Sequence, residues 1–480
     1  MKFEPTLESV SRHKVPEWYG KAKFGIFIHW SLFSVPAYAP TSGQNLAELS
    51  EEGDGFANSM KNSPYAEWYL NTSRIEGSPT QEHHRKTYGE SFNYFNFQKS
   101  FEEQSRNMKA GEWADFFKEA GAQYVVLVTK HHDGYCLWPS EHKNPFMPEY
   151  QSKRDLVGEI TDAVRSRGMK MGLYYSGIFD WTFKNYPIDG MENWVRHQLV
   201  TDQYSEYATA HMYELIQKYK PSILWNDIGY PQQYNLDKLF SDYYNAVPEG
   251  VVNDRWRQYK VSQEHSGKDI ERLVERLNKE LEENGITGIL KTDGHHDYTT
   301  PEYESYTHLK KKKWEMTRGM GMSFGYNQVE GDSHMLTAAD VVYMLIDAVS
   351  KNGNVLINVG PKADGTIPEM QKRPLLEVGK WLKINGEAIY GTTYLDKQEG
   401  ISADGKKVAF TRNGDNLYAM VMDKQVKGTV VIKDLQIKED ARVRILGVDK
   451  LLNWKAVNGD LSVELPEAMP EQLAYTIKIG

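Results

Sequence analysis

The chain has 480 residues, of which 57 are Lys or Arg and 66 are Asp or Glu, so its formal net charge is −9. This acidic balance excludes a general nucleic-acid binder. With 40% hydrophobic and 26% charged residues, the composition is that of a globular protein and not of a disordered, collagen-like or coiled-coil chain.

Targeting and redox signals are also missing. No apolar run approaches the ~18 residues of a membrane span. The start, MKFEPTLESVSRHKVPEW, has no apolar core of a signal peptide, which predicts a cytoplasmic protein, or a secreted one if a leader has been removed. The only cysteine, Cys136, excludes an intrachain disulfide and is interpreted as a buried free thiol.

Short apolar runs recur through the first three quarters of the chain and predict eight strands. The runs are FGIFIHW (24–30), YVVLVTK (124–130), MGLYYS (171–176), SILWND (222–227), GVVNDRW (250–256), GILKTDG (288–294), MSFGYN (322–327) and NVLINVG (354–360). Helical patterns precede the second, third, fourth and eighth runs. Buried strands that alternate with amphipathic helices are typical of parallel βα units, and eight units are the count of a TIM barrel.

Two long insertions interrupt this pattern. The first separates the first two strands and contains a Gly-, Ser-, Asn- and Glu-rich stretch at 42–63. The second, at about 257–291, carries apolar residues at helical spacing over 269–284, which predicts an amphipathic helix that packs on a barrel face or on a partner subunit.

The pattern changes after residue 392. Six strand-like runs follow, KVAFTR, LYAMVMD, GTVVIKD, ARVRILG, LSVELP and AYTIKIG, with Gly-containing turns between them. We therefore predict a (β/α)8-like TIM barrel over residues 1–392 and a small all-β sandwich over 393–480.

Polar side chains cluster at the ends of several predicted strands, where a barrel carries its active site. Asp227 ends a buried strand beside Trp225, and Arg255 follows the next strand; a cationic neighbour favours the ionised form of a nucleophilic carboxylate. A glycosidase needs a second carboxyl group as its acid. Glu302 and Glu304 share one face of an extended segment and are not distinguished by the sequence.

Asp297 and Glu315 are further candidates for the second carboxyl group. The KHHDG segment at 130–134 suggests a metal site at first sight, but adjacent residues on a strand point to opposite faces, and no His-x-His or HExxH spacing occurs. We therefore predict no metal and assign the imidazoles to hydrogen bonds with vicinal hydroxyls. The abundance of Tyr and Trp also favours a sugar ligand.

In combination these motifs resemble the α-L-fucosidases of glycoside hydrolase family 29. The matching segments include KFGIFIHW, AEWY, AGAQYVVLVTKHHDGYCLWPS, PSILWNDIGYP, VVNDRW, KWEMTRGMGMSFGYN and KNGNVLINVGPKADGTIPE, and they cover most of residues 15–392. The resemblance implies a (β/α)8-like barrel, a retaining double displacement and no cofactor. Its expected substrate is a fucosylated oligosaccharide or glycoconjugate, with no nucleic-acid or membrane partner and with a homo-oligomer left open.

The resemblance also implies residue roles. It makes Asp227 the nucleophile and Glu302 the acid and base, although Glu304 stays open from the residues alone. The fucose-binding residues it implies are His29, Glu67, Trp68, His131, His132, Tyr175, Trp225, Arg255 and Phe324. Rival hypotheses are a transfucosidase, a fucose-binding protein with impaired catalysis, and a metal-dependent barrel hydrolase.

Overall fold

A parallel β-sheet forms the centre of the first part of the chain. The computed structural model describes residues 2–259 and 266–480. The strands of the sheet are β1 (Phe24–Ile28), β2 (Tyr124–Lys130), β3 (Lys170–Ser176), β4 (Ile223–Asp227), β5 (Val251–Val252), β6 (Trp314–Gly319) and β7 (Gly353–Val359). They are hydrogen-bonded in the order β5-β4-β3-β2-β1-β7-β6, and all pairs are parallel. The predicted (β/α)8-like barrel class is confirmed.

An irregular segment occupies the place of the eighth strand. Asp297 donates its backbone N–H to Val252 of β5, and single parallel bridges pair Thr299 with Trp314 and Glu302 with Thr317 of β6. Residues 297–302 therefore lie between the two edge strands of the sheet and close it toward a barrel.

Two of the eight predicted strands are wrong. Within GILKTDG, Ile289 and Leu290 form the last turn of a helix, and MSFGYN is a loop. Short apolar runs fit a buried helix end or loop as well as a strand, so periodicity does not separate them. The strand at Trp314–Gly319 was not among the eight.

Helices cover the outside of the sheet, and each of the four predicted helical patterns forms a helix, at Ala110–Glu119, Leu156–Ser166, Asp202–Tyr219 and Ala338–Ser350. The first eight helices are α1 (Leu7–Val10), α2 (Glu17–Ala22), α3 (Leu46–Ser50), α4 (Phe56–Lys61), α5 (Tyr69–Ser73), α6 (Pro79–Tyr88), α7 (Phe97–Gln104) and α8 (Ala110–Glu119). The others are α9 (Leu156–Ser166), α10 (Met191–Gln198), α11 (Asp202–Tyr219), α12 (Leu236–Ala246), α13 (Gly267–Leu290), α14 (Ala338–Ser350) and α15 (Glu369–Asn385).

The second insertion forms the predicted amphipathic helix, α13. Ile270, Leu273 and Leu277 are buried, and the helix packs against α10 of the same chain. Arg257 ties it to the barrel through an ion pair with Glu280, with Nη1 2.6 Å from Oε2. The helix therefore packs on a face of the barrel, which was one of the two predicted positions.

The C-terminal part is made of antiparallel strands only. They are β8 (Glu399–Ile401), β9 (Lys407–Asn413), β10 (Asn416–Val421), β11 (Thr429–Ile432), β12 (Val443–Ile445), β13 (Trp454–Val457), β14 (Asp460–Glu464) and β15 (Tyr475–Ile479). They form a five-stranded sheet, β12-β15-β10-β9-β8, and a three-stranded sheet, β11-β14-β13, which share one apolar core. All six predicted strands are present, and β8 and β13 were missed.

No helix in the described part of the chain is long and apolar enough to cross a membrane.

Candidate active site

A small cavity lies at the carboxyl ends of the barrel strands. Its lining combines carboxylates, imidazoles, one guanidinium and aromatic rings. The lining residues are Phe27, His29, Leu46, Met60, Tyr65, Glu67, Trp68, His131, His132, Tyr174, Trp194, Trp225, Asp227, Ile228, Arg255, Leu290, Glu302, Thr317 and Phe324. All the residues predicted for the site except Tyr175 line this cavity.

One guanidinium joins the two predicted catalytic carboxylates. Arg255 donates from Nη1 to Asp227 Oδ1 at 3.1 Å and from Nη2 to Glu302 Oε2 at 2.9 Å. Its side chain is 3% exposed, its Nε donates to Thr300 Oγ1, and its Nη2 also donates to Thr300 O. The whole of α13 lies between Arg255 and Glu302 in the sequence. The 297–302 segment nevertheless runs between β5 and β6 and so brings Glu302 back beside Arg255. Two acidic groups therefore share one buried cation.

Asp227 sits at the last position of β4 and has fixed partners. Its Oδ2 accepts from the Tyr174 hydroxyl at 2.9 Å, and its Oδ1 accepts from the backbone N–H of Ile228 at 3.0 Å. Burial raises the pKa of Asp227, and the charge of Arg255 opposes that rise. Arg255 favours the ionised form as predicted, but burial is the larger of the two effects.

The structure separates Glu302 from Glu304. Tyr303 between them has a φ of 55°, so the segment does not continue as an extended chain, and the two carboxylates do not share a face. Glu302 lines the cavity and accepts from the Tyr65 hydroxyl at 2.7 Å, whereas Glu304 is exposed. The open choice between the two is therefore settled in favour of Glu302 as the cavity residue.

Glu67 is a third carboxyl group in the cavity. It is 2% exposed and accepts from the backbone N–H of Gly325 at 2.8 Å and from the Ser323 hydroxyl at 3.3 Å. Burial raises the pKa of Glu67 to about 8, and these hydrogen bonds oppose the rise. This shift favours the protonated form of Glu67 near neutral pH, which can donate a hydrogen bond to a ligand.

His29 and His132 present the same chemistry to the cavity. Asn358 donates its Nδ2–H to Phe324 O, so its Oδ1, 2.6 Å from His29 Nδ1, accepts a hydrogen bond from the N–H at that position. Ser176 donates to Phe179 O at 2.7 Å and likewise accepts from His132 Nδ1 at 2.7 Å. Each ring thus keeps Nε2 as an acceptor for a hydroxyl group.

His131 and His132 both line the cavity because β2 ends at Lys130. The chain turns there, and the two ring centroids lie 4.0 Å apart instead of on opposite faces of a strand. Burial lowers the pKa of both rings well below the usual range and that of His29 to about 3. All three imidazoles are therefore neutral at physiological pH.

Aromatic rings form the walls. Trp225 lies beneath Arg255, whose guanidinium carbon is 4.9 Å from the indole centroid, and it donates its Nε1–H to Glu315 at 3.3 Å. Phe324 packs 5.0 Å from the His29 ring, and Trp68 packs 5.1 Å from the His132 ring. The cavity therefore joins apolar faces to polar edges, as a sugar requires.

The prediction for Tyr175 is wrong, and Tyr174 takes its place. The parallel register pairs Tyr174 with Trp225 on the inner face of the barrel, so Tyr175 points outward among the helices. Its hydroxyl lies 3.1 Å from His211 Nδ1, and Lys130 Nζ lies 4.7 Å from its ring centroid. Met171 and Leu173 lie on the same face of β3 as Tyr175, because side chains alternate along a strand. This apolar face packs against the helices, so the alternation could have identified Tyr174 as the residue that faces the barrel interior.

The other two candidate carboxylates lie elsewhere. Glu315 is fully buried inside the barrel, below the cavity, and accepts from Tyr19, Tyr124 and Trp225. Asp297 lies near the amino ends of the strands with His13 and His295. Within residues 2–259 and 266–480, this trio is the one cluster of His and carboxylate side chains whose spacing suits a metal ion.

Sequence reasoning also missed several lining residues. Tyr65 stands two positions before Glu67 and carried no signal of its own. Apolar side chains from the two insertions close over the cavity, and strand-end clusters do not point to them; they are Leu46, Met60 and Leu290.

Family models match both parts of the chain. The model described as alpha-L-fucosidase matches residues 1–387, and the model described as the alpha-L-fucosidase C-terminal domain matches residues 403–480. Human plasma alpha-L-fucosidase is 32% identical over 98% of this chain and 90% of its own length. Human tissue alpha-L-fucosidase is 31% identical over 100% and 92%.

Solved structures agree with the sequence comparison. A Thermotoga maritima alpha-fucosidase is 39% identical, covers 100% of both chains and superposes with a TM-score of 0.82. A Thermotoga maritima alpha-L-fucosynthase, at 38% identity over 100% of both chains, has a TM-score of 0.85. With both parts matched and whole-length relatives above 30% identity, the chain belongs to the alpha-L-fucosidase family.

Proposed function

We propose that this protein hydrolyses terminal α-L-fucosyl groups by a retaining double displacement, with Asp227 as the nucleophile and Glu302 as the general acid and base. The observation that carries the proposal is the bridge from Arg255 to both carboxylates, at 3.1 and 2.9 Å. In a retaining glycosidase the two carboxyl groups stand about 5 to 5.5 Å apart on either side of the scissile bond. Two acids bonded to one guanidinium suit that close separation.

In the first step Asp227 Oδ attacks C1 of the fucosyl group while Glu302 gives its proton to the departing oxygen. The C1–oxygen bond to the aglycone breaks as the bond to Asp227 forms. In the second step Glu302 takes a proton from water, and the resulting hydroxide oxygen attacks C1 and releases Asp227. Tyr65 fixes Glu302 for both proton transfers through its 2.7 Å hydrogen bond.

The remaining predicted residues serve recognition in this proposal. The neutral imidazoles accept hydrogen bonds from vicinal hydroxyls of the sugar, and protonated Glu67 donates one. Phe324 provides an apolar surface for the C6 methyl group. A relative, the Thermotoga maritima alpha-fucosidase, has a structure in complex with fucose, which supports this choice of sugar.

We also propose that the catalytic unit comprises residues 1–392 and the β-sandwich residues 393–480. The two family models leave residues 388–402 between them, and this division falls inside that gap.

The acid and base assignment is tested by azide rescue. Glu302→Ala should lose turnover of a fucoside with a poor leaving group, and added azide should restore activity on an activated aryl fucoside and yield a fucosyl azide. Glu304→Ala is the matched control, because it removes an exposed carboxylate two residues away and should behave as the parent. Rescue confined to Glu304→Ala would overturn the assignment.

A further inference from the structure

A second cavity opens at the amino ends of the barrel strands, at the opposite end from the catalytic site. Its volume is about 780 Å³. Residues that directly precede β1 and β6 line it, together with the 293–297 segment. Five of the lining residues are lysines and three are carboxylates, so its fixed charge is positive; the lysines are Lys21, Lys23, Lys311, Lys312 and Lys313.

Two of these lysines are buried. Lys23 is 2% exposed and Lys313 is 8% exposed, and the Lys313 amino group lies beside that of Lys23 and makes no hydrogen bond to an acceptor oxygen in the described part of the chain. Neither ammonium group makes an ion pair with a carboxylate of residues 2–259 or 266–480. A buried lysine without an anion either keeps its charge at a high cost in free energy or gives up its proton, and both alternatives oppose folding.

The carboxylates of the cavity are engaged elsewhere or exposed. Glu17 pairs with Lys21 at 2.5 Å. Asp297 lies 2.7 Å from His13 Nδ1 and accepts from the Tyr244 hydroxyl at 2.9 Å. Asp293 is exposed. Among residues 2–259 and 266–480, no carboxylate of this cavity is therefore left to pair with the two buried lysines.

Glu315, two residues after Lys313, does not fill this role. Its oxygens accept hydrogen bonds from three donors inside the barrel. Burial lowers the pKa of Lys313 well below its usual range, Lys23 adds to that effect, and Glu315 opposes it only in part. Burial likewise lowers the pKa of Lys23 to about 8.

The backbone adds a second cost at Lys23. Its φ is 63° and its ψ is −39°, a conformation that residues with a side chain rarely adopt. Strain of this kind persists only where surrounding structure or function demands it. Here β7 holds the residue through a hydrogen bond from Val355 N to Lys23 O at 2.8 Å. Strain and burial both oppose a lysine at this position.

We propose that this cavity binds the phosphate group of a small molecule between Lys23 and Lys313. Two adjacent amino groups in a desolvated site, protonated when an anion binds beside them, match the double negative charge of a phosphate, and Lys acts as a point charge toward phosphate oxygens. The volume leaves room for a small organic portion beyond the phosphate. The site is distinct from the catalytic cavity and does not depend on the proposed mechanism.

Thermal unfolding of the full chain tests the proposal with inorganic phosphate and, in a second arm, glycerol 3-phosphate, both at constant ionic strength. The parent should show a saturable rise in Tm of about 2 to 3 °C at roughly one hundred times Kd. Lys23→Met and Lys313→Met should each lose this rise. Lys310→Met is the matched control, because it neutralises a neighbouring lysine outside the cavity and should keep the rise.

A rise that does not saturate, or that is equal in all four proteins, would overturn the proposal as a general salt effect. A larger response to glycerol 3-phosphate than to inorganic phosphate identifies an ester as the better ligand, and the reverse identifies the free ion.

Calorimetric titration of the parent provides a readout if a variant does not fold. One phosphate per chain should bind with the same Kd whether or not saturating fucose is present. Loss of phosphate binding in the presence of fucose would place the ion in the catalytic cavity and refute the second site, as would the absence of any binding heat and of any Tm rise.

Discussion

The two ends of the barrel treat buried charge in opposite ways. At the carboxyl end, Arg255 is enclosed with two carboxylates that it bonds directly, so the buried cation and anions compensate one another. At the amino end, Lys23 and Lys313 are enclosed with no carboxylate paired to them among the described residues. The carboxyl end is preorganised by the protein alone, whereas the amino end is complete only when a ligand supplies the missing charge.

The interior between the two ends is a hydrogen-bonded layer. Glu315 accepts from Tyr19 and Tyr124 at 2.9 and 2.6 Å and from Trp225 at 3.3 Å. Burial raises the pKa of Glu315 to about 7. This layer supports the Trp225 floor of the catalytic cavity and separates it from the lysines, so a substitution at one end is expected to act mainly on the property of that end.

The largest expected effect is at the proposed nucleophile. Asp227→Ala should lower kcat for 4-nitrophenyl α-L-fucoside by roughly 10³-fold or more, because no other group can form the covalent intermediate. Asp293→Ala is the control at the amino end and should retain normal kcat. Near-normal turnover by Asp227→Ala would contradict the assignment and with it the functional contrast between the ends.

Removal of the shared cation should change the pH dependence. Arg255 opposes the rise in the pKa of Asp227 that burial causes, so Arg255→Met should raise this pKa further. Because the protonated aspartic acid is not a nucleophile, the acidic limb of the kcat/KM profile should move to higher pH.

Arg257→Met is the control for this experiment. It breaks an ion pair with Glu280 outside the cavity and should leave the profile in place. A uniform loss of activity in Arg255→Met with an unmoved acidic limb would show that Arg255 does not set the charge state of Asp227.

Two adjacent tyrosines allow a finer comparison. Tyr174→Phe removes the hydroxyl that donates to Asp227 and should lower kcat by roughly tenfold, the value of one hydrogen bond to a charged group. Tyr175→Phe removes a hydroxyl bonded to His211 outside the cavity and should change kcat little. Steady-state kinetics on one aryl fucoside measures both. Equal losses in the two variants would mean that the effect comes through the strand and not through the hydroxyl contact.

Strands buried on both faces were predictable because each is a continuous apolar run, as in Tyr124–Lys130. The segment at the eighth barrel position was not predictable from the sequence, because residues 297–302 pair with their neighbours through single bridges and lack apolar patterning. Conversely, Ile289 and Leu290 have the composition of a strand, but the helix that precedes them continues through both. Local composition predicts a strand correctly where the strand pairs regularly with its neighbours. It fails where that pairing is irregular.

The site shows the same limit. Asp227 and Arg255 were identifiable because they end neighbouring strands, and the ends of neighbouring parallel strands lie together. Which tyrosine of a pair faces the cavity depends on parity within β3, and which of Glu302 and Glu304 does so depends on the positive φ of Tyr303. Neither follows from a motif. The buried lysines at the amino end carried no signal at all, because the run at 310–313 has the composition of a solvated surface.

The smallest expected effect is one of stability. In phosphate-free buffer at neutral pH, Lys313→Met should raise Tm by about 1 to 4 °C, because an apolar side chain replaces a buried amino group that must give up its proton or stay charged without an anion. The pKa of Lys313 is lower in the folded than in the unfolded chain. The unfolded chain therefore binds more protons, and the parent gains stability as pH rises toward the unfolded pKa of about 10.4.

The difference in Tm between Lys313→Met and the parent should therefore be largest at neutral pH and should shrink toward pH 10, whereas Lys310→Met should stay within about 1 °C of the parent throughout. A Lys313→Met protein less stable than the parent would mean that the ammonium group already has a favourable partner inside the protein. The two ends of the barrel would then handle charge alike, and the amino-end cavity would have no need of a ligand.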